Sequence, residues 1–202
     1  MIDESSTLED VCFEVGSALD RFSIRGVLTG GSAAAVYASA VYTSLDADFV
    51  LANSPERKQI EAALAEVGYA PSAAAGTYEH PRSKFTIDFP KGPLAVGGDY
   101  VKETAVLERG AMRLRILTPT DCVRDRLAAF YYWNDYTSLN AAVGVARAHV
   151  DQIDFALLRE WTEREGGPPP LDFGPKFKEF LKRVGLPNDK LPLGEGPCQY
   201  RR

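Results

Sequence analysis

Asp46 and Asp48 stand two apart in the run Thr43-Ser44-Leu45-Asp46-Ala47-Asp48-Phe49-Val50-Leu51. Residues two apart on a strand point to the same face. The two carboxylates therefore sit side by side, flanked by apolar residues that belong in a core. Like charges at that spacing repel and raise each other's pKa, and a fold tolerates them mainly when a cation lies between them. Mg²⁺ takes one or two carboxylates with waters and phosphate oxygens. The chemistry that suits this pair is metal-dependent phosphoryl chemistry. An Asp-x-Asp is common by chance, so it needs support from its surroundings.

Two other segments supply that support. Gly26-Val27-Leu28-Thr29-Gly30-Gly31-Ser32 reads as a short strand entering a tight turn, followed by a helix over Ala33–Ala40. The two glycines allow positive φ and close backbone approach, and Ser32 is a candidate helix cap. Free N–H groups at such a turn, with the helix N-terminus behind them, attract anions. Downstream, Lys84-Phe85-Thr86-Ile87-Asp88-Phe89-Pro90 alternates as a strand does. Asp88 would complete a group of three carboxylates if its strand lay beside the first.

The order is strand, Gly-Gly-Ser, helix, Asp-x-Asp strand, helix, then a strand with a third Asp. Over about residues 24 to 90 it resembles the nucleotidyltransferase superfamily of the DNA polymerase beta type. The resemblance implies an α+β fold: a small mixed β-sheet flanked by helices, with a C-terminal helical extension. It implies transfer of an NMP from an NTP to an acceptor hydroxyl, with release of pyrophosphate. Asp46, Asp48 and Asp88 would be catalytic and would bind Mg²⁺ or Mn²⁺. Gly30, Gly31 and Ser32 would hold the triphosphate. The acceptor, whether RNA, protein or small molecule, is left open. The other reading is a catalytically silent nucleotide- or partner-binding module, such as half of a toxin–antitoxin pair.

A weaker resemblance lies further on. In abortive-infection and toxin-type nucleotidyltransferases, a segment Asp-apolar-x-x-Lys-Leu-x-Ala precedes a Lys-Asp pair that opens the next helix. Asp121-Cys122-Val123-Arg124-Asp125-Arg126-Leu127-Ala128-Ala129 and Asn134-Asp135 occupy similar places. Arg126 stands at the Lys position and implies a nucleotide-phosphate contact, since Arg pairs with phosphate bidentately. Tyr42 stands where those proteins often carry Arg. The other reading of Arg124 and Arg126 is a solvated helix face. The run Phe130-Tyr131-Tyr132-Trp133 reads as packing more often than as a base-stacking surface.

These residues must be positioned by a compact chain. At 202 residues it can bury a full core. Apolar content is 45% and charged content 25%, ordinary for a globular protein. The net charge of −5 gives no global case for nucleic-acid binding. Cys12, Cys122 and Cys198 are scattered, without a C-x-x-C, which indicates neither a zinc site nor a disulfide framework and points to the cytoplasm. His80 and His149 read as surface or loop residues. No signal peptide is read at the N-terminus and no apolar run reaches membrane-spanning length, so no membrane is expected.

Helical periodicity covers Ser6–Leu19 through Leu8, Val11, Cys12, Val15 and Leu19. Ser54-Pro55-Glu56 reads as the start of a helix that stops at Gly68. Tyr78–Asp88 reads as a hairpin, Lys91–Tyr100 as loop, and Thr104–Leu107 with Met112–Leu117 as a second hairpin. Helices are expected over Cys122–Tyr132, Ser138–His149, Ile153–Glu165 and Pro175–Val184. The organisation expected is a core over 1–118, a helical extension over 119–186 and an irregular tail over 187–202.

Overall fold

The computed structural model describes residues 2–168 and 171–186; the expected tail lies outside them. The chain opens with α1 (Leu8–Arg21), whose buried face carries the Leu8, Val11, Cys12, Val15 and Leu19 periodicity. A capping box fixes its start. Thr7 Oγ1 accepts from the Asp10 N–H, and the Asp10 carboxylate accepts from the Thr7 N–H, so two donors that the helix leaves unmade are satisfied.

Strand β1 (Gly26–Leu28) leads into α2 (Gly30–Tyr37), then β2 (Asp46–Leu51) and α3 (Arg57–Ala65). Short strands follow: β3 (Ala70–Pro71), β4 (Thr77–Glu79) and β5 (Thr86–Asp88), then β6 (Ala95–Val96) and β7 (Asp99–Tyr100). The hairpin β8 (Thr104–Arg109) and β9 (Met112–Leu117) turns at Gly110, where φ is +61°. Four helices close the described chain: α4 (Pro119–Trp133), α5 (Tyr136–Ala148), α6 (Phe155–Glu165) and α7 (Gly174–Val184).

Seven strands form one mixed sheet in the order β3-β4-β5-β2-β1-β9-β8. β2 lies between β1, antiparallel to it, and β5, parallel to it. The parallel register sets Asp48 opposite Asp88 and Asp46 opposite Thr86. Phe49, Ile87, Leu28 and Ile116 fill the core among these strands. α1 packs on β9, and α2 packs against α4 and α5. Val123, Leu127 and Phe130 of α4 are buried, as their spacing predicts.

Several boundaries differ from the expectation. α2 starts at Gly30 rather than Ala33, with Thr29 at the cap and no side-chain cap bond. Ser32 is thus inside the helix, where it cannot cap it. α3 starts at Arg57, because Glu56 forms a capping box with Gln59 that displaces the Ser54-Pro55 start. α4 starts at Pro119 rather than Cys122, with Thr118 Oγ1 accepting from the Asp121 N–H. The segment read as loop over 91–100 holds the separate hairpin β6–β7.

Candidate active site

The alternation of β2 buries Ala47 and Phe49 and leaves Asp46 exposed and Asp48 half-buried. β5 repeats the pattern, with Ile87 buried between Thr86 and a half-buried Asp88. Because the strands are parallel and in register, the three carboxylates project on one face. Each offers an oxygen within 4.8 Å of the others. Asp48 lies deepest. Burial first, and then the charges of Asp46 and Asp88, push its pKa up to about 6, while Arg126 opposes the rise.

Neighbouring hydroxyls orient the other two carboxylates. Ser44 Oγ donates to Asp46 Oδ1 at 2.6 Å. Thr77 Oγ1, across the antiparallel β4–β5 pair, donates to Asp88 Oδ1 at 2.6 Å. Thr77 is a site residue that the sequence reading did not name. Its signal is positional, since the residue paired with Asp88 across the antiparallel strands shares its face.

The glycine turn meets the acids directly. Gly30 has φ +66°, and a Cβ there would sit 2.8 Å from Asp48 Oδ2. Glycine is required here twice over, by the left-handed backbone and by the nearness of the carboxylate. Gly31 differs from the expectation: its φ is not positive, and a Cβ there would meet the Tyr42 hydroxyl at 2.9 Å. Ser32, fully buried, ties the turn to β2. Its hydroxyl donates to the Thr29 carbonyl at 2.9 Å and accepts from the Asp48 N–H at 3.2 Å. The Thr29 N–H donates to the Asp48 carbonyl at 2.9 Å. The first helical N–H bond back to the cap is from Ala33, so the N–H groups of Gly30, Gly31 and Ser32 have no intrahelical acceptor.

Arg126 and Arg124 lie on α4 in different surroundings, and neither is on a solvated face. Arg126 donates to Asp125 Oδ2 through Nε and Nη2, at 3.0 and 2.7 Å, and reaches Ser138 Oγ of α5 at 3.4 Å. Its effect on Asp48 places it within electrostatic reach of the acid cluster. Burial works against its charge, but Asp125 outweighs this and holds its pKa above the ordinary arginine value. Arg124 is buried away from solvent, with Nη1 3.3 Å from Asp121 and its guanidinium over the Trp161 ring. It belongs to the packing between α4 and α6.

The aromatic run divides in the same way. Tyr131 is buried and stacks between Trp161 and Phe173, with ring centroids 5.6 and 4.8 Å away. Tyr132 donates from its hydroxyl to Glu165, and Trp133 is exposed. Asn134 closes α4 in the left-handed conformation and Asp135 caps α5. His149 caps the end of α5 and contacts the Tyr37 carbonyl; His80 lies in the β4–β5 turn against Tyr69. Cys12 and Cys122 are buried free thiols. Among the described residues, no helix is long and apolar enough to cross a membrane.

No protein-family model matches the sequence, and no curated protein matches it. Solved structures do. The chain is similar to an antigenic nucleotidyltransferase-like protein from Paracoccidioides brasiliensis, with 13% identity, a TM-score of 0.57, and coverage of 90% of this chain and 94% of the other. It also matches the antibiotic-resistance factor ANT(2'')-Ia in solution, with 13% identity, a TM-score of 0.48, and coverage of 77% and 91%. A crystal structure of ANT(2")-Ia in complex with adenylyl-2"-tobramycin gives 14%, 0.39, 70% and 99%. The fold assignment rests on the first of these. The chain has the nucleotidyltransferase fold, an α+β architecture with a mixed sheet flanked by helices.

Proposed function

We propose that this protein is a metal-dependent nucleotidyltransferase that moves an NMP from an NTP to an acceptor hydroxyl. The observation that carries the reading is the convergence of Asp46, Asp48 and Asp88 within 4.8 Å, directly beside the turn at Gly30. The donor set fits Mg²⁺ or Mn²⁺, being all carboxylate oxygen. Its electrostatics fit as well: the neighbouring cation, Arg126, is already engaged by Asp125, and Asp48 remains pushed up to about 6. The three aspartates would hold the metal. When bound, one or two such ions neutralise phosphate charge and align the attacking and leaving oxygens.

The chain's own groups supply the rest. The free N–H groups of Gly30, Gly31 and Ser32 hold the triphosphate at the N-terminus of α2. The Ser32 hydroxyl keeps that turn in register with Asp48. Arg126 steadies the phosphates from the α4 side. Asp88, oriented by Thr77, takes the proton from the acceptor hydroxyl as its oxygen attacks the α-phosphorus, and pyrophosphate leaves. Positioning and charge stabilisation account for most of such catalysis. The two buried free thiols agree with a reducing compartment such as the cytoplasm.

The test is incubation with each radiolabelled NTP in turn, ATP first, with Mg²⁺ or Mn²⁺ and a cell extract. The expected result is label fixed to one class of macromolecule or small molecule, and no label with Asp48→Asn. A Mg²⁺-NTP melting shift without any transfer would replace the enzyme by a silent nucleotide-binding module, such as half of a toxin–antitoxin pair.

A further inference from the structure

The hydroxyls of Ser32, Ser44 and Thr77 around the acid cluster each give their proton to a protein acceptor: the Thr29 carbonyl, Asp46 and Asp88. Tyr42 differs. Among the described residues no acceptor takes its proton. Its ring is half-buried against the core, and its hydroxyl reaches solvent. A phenol with an unspent proton is both a donor and an acceptor for a ligand.

The fold holds this hydroxyl over the glycine turn. After α2 the N–H groups of Val41 and Tyr42 both donate to the Ala38 carbonyl, at 2.9 and 3.1 Å, and Val41 packs on Gly144 of α5. The chain so anchored doubles back along α2, and the Tyr42 hydroxyl ends 2.9 Å from where a Gly31 Cβ would stand. In a helix the Cα–Cβ bond tilts towards the N-terminus. That is also the end from which the free N–H groups of Gly30, Gly31 and Ser32 project. The hydroxyl and the N–H groups therefore border one space. Arg126 lies within electrostatic reach of both Tyr42 and Asp48.

The sheet order gives the NTP a direction. β2 lies between β5, which carries Asp88, and β1, which leads into the turn. In an in-line displacement the attacking and leaving oxygens lie on opposite sides of the phosphorus. An acceptor hydroxyl that approaches from the Asp88 side expels pyrophosphate towards the turn, where Tyr42 stands. Resting on the nucleotidyl-transfer reading, we propose that the Tyr42 hydroxyl donates a hydrogen bond to the pyrophosphate portion of the NTP. It holds the β- and γ-phosphates on the turn before transfer and the same pyrophosphate, as product, after it. The contact is shared by every NTP and is blind to the base.

The test is calorimetric titration of the full chain, with Mg²⁺ present, by inorganic pyrophosphate, by each of ATP, GTP, CTP and UTP, and by the matching monophosphates. Tyr42→Phe keeps the ring and its packing, so its melting temperature without ligand should equal that of the wild type. Its affinity for pyrophosphate and for the NTP should each fall about tenfold, the scale of one hydrogen bond to a charged group. Its affinity for the monophosphate should not change. Tyr100→Phe, on exposed β7, should bind all three as the wild type does. Unchanged pyrophosphate affinity in Tyr42→Phe would overturn the proposal. So would an equal loss for the monophosphate, which would mark a contact to the nucleoside, or a lower melting temperature without ligand, which would make the hydroxyl a structural group. A wild type that binds neither pyrophosphate nor any NTP would sink the transfer reading and this assignment together. Transfer activity with normal pyrophosphate affinity in Tyr42→Phe would sink this assignment alone.

Discussion

Asp10 and Asp48 are the same residue in opposite circumstances. Asp10, in the first turn of α1, accepts from Thr7 N–H and Oγ1 and from Arg109 Nη1 at 2.8 Å. The Thr7 bonds, and then Arg109, hold its pKa below the ordinary carboxylate value. Asp48 is half-buried beside two more carboxylates and is pushed up to about 6. One carboxylate is matched with donors until it stabilises a helix end. The other is held against repulsion by the sheet around it. A fold keeps an unmatched group of this kind where a ligand supplies the missing charge.

The largest effect that would separate the two is on transfer. Asp48→Asn should lower transfer by more than about a hundredfold, the scale of losing one group that stabilises transition-state charge. Without metal its melting temperature should equal or exceed that of the wild type, because one of three crowded charges is gone. The Mg²⁺-NTP melting shift should shrink with the lost affinity. Paired melting curves and a transfer assay check all three. A variant with full transfer would remove Asp48 from the chemistry.

Gly30→Ala should harm both function and fold. The left-handed backbone costs a β-carbon about 1–2 kcal/mol, or roughly 2–8 °C in a chain of this size, and the methyl displaces the Asp48 carboxylate. Transfer should therefore fall further than the melting shift alone implies. Alanine at Gly31 should be milder, since the Tyr42 hydroxyl can swing away. Equal losses at the two positions would show that the left-handed backbone at Gly30 is not what matters.

Asp10→Ala should do the reverse of Asp48→Asn. It removes the capping box and the Arg109 contact and should cost about 1 kcal/mol, or roughly 2–4 °C. Transfer per folded molecule and the Mg²⁺-NTP shift should stay at wild-type values. A loss of nucleotide binding would show that the α1 end communicates with the site.

The last test is the pH dependence. The folded-state pKa of Asp48 lies above its unfolded value, so its contribution is most favourable below about pH 4, the ordinary Asp range, and is lost as pH rises towards about 6. Melting temperature measured without metal, wild type minus Asp48→Asn, should therefore fall between pH 4 and 6. Saturating Mg²⁺ should flatten the difference. Asp10 slopes the other way, its contribution being lost as pH falls, and it cancels in the subtraction. A flat difference without metal would mean that Asp48 is not crowded.

The acid triad was legible because strand periodicity is rigid. Once Asp46, Asp48 and Asp88 fall on alternating strands, their faces are fixed by geometry. The glycine turn was legible only in part. Composition marks two glycines, but which of them carries positive φ depends on how closely β2 approaches, and Ser32 serves the strand rather than the helix end. Thr77 was hidden because it becomes a neighbour of Asp88 only after the hairpin forms. Arg124 and Arg126 look alike in sequence, yet α6 buries one and α5 brings the other to the site. The β6–β7 hairpin was obscured by the Gly and Pro residues around it, which signal turns more strongly than two-residue strands signal pairing.

The parallel pairing of β2 with β5 also bears on the order in which the protein matures. A parallel neighbour cannot be reached by a tight turn, so α3, β3 and β4 must all be threaded before Asp88 comes to lie opposite Asp48. Contacts so distant along the chain carry a larger loop-closure cost than those within local helices and hairpins. A nascent chain exposed only as far as α3 carries Asp46 and Asp48 but no third carboxylate. The proposed three-carboxylate site therefore requires the completed sheet.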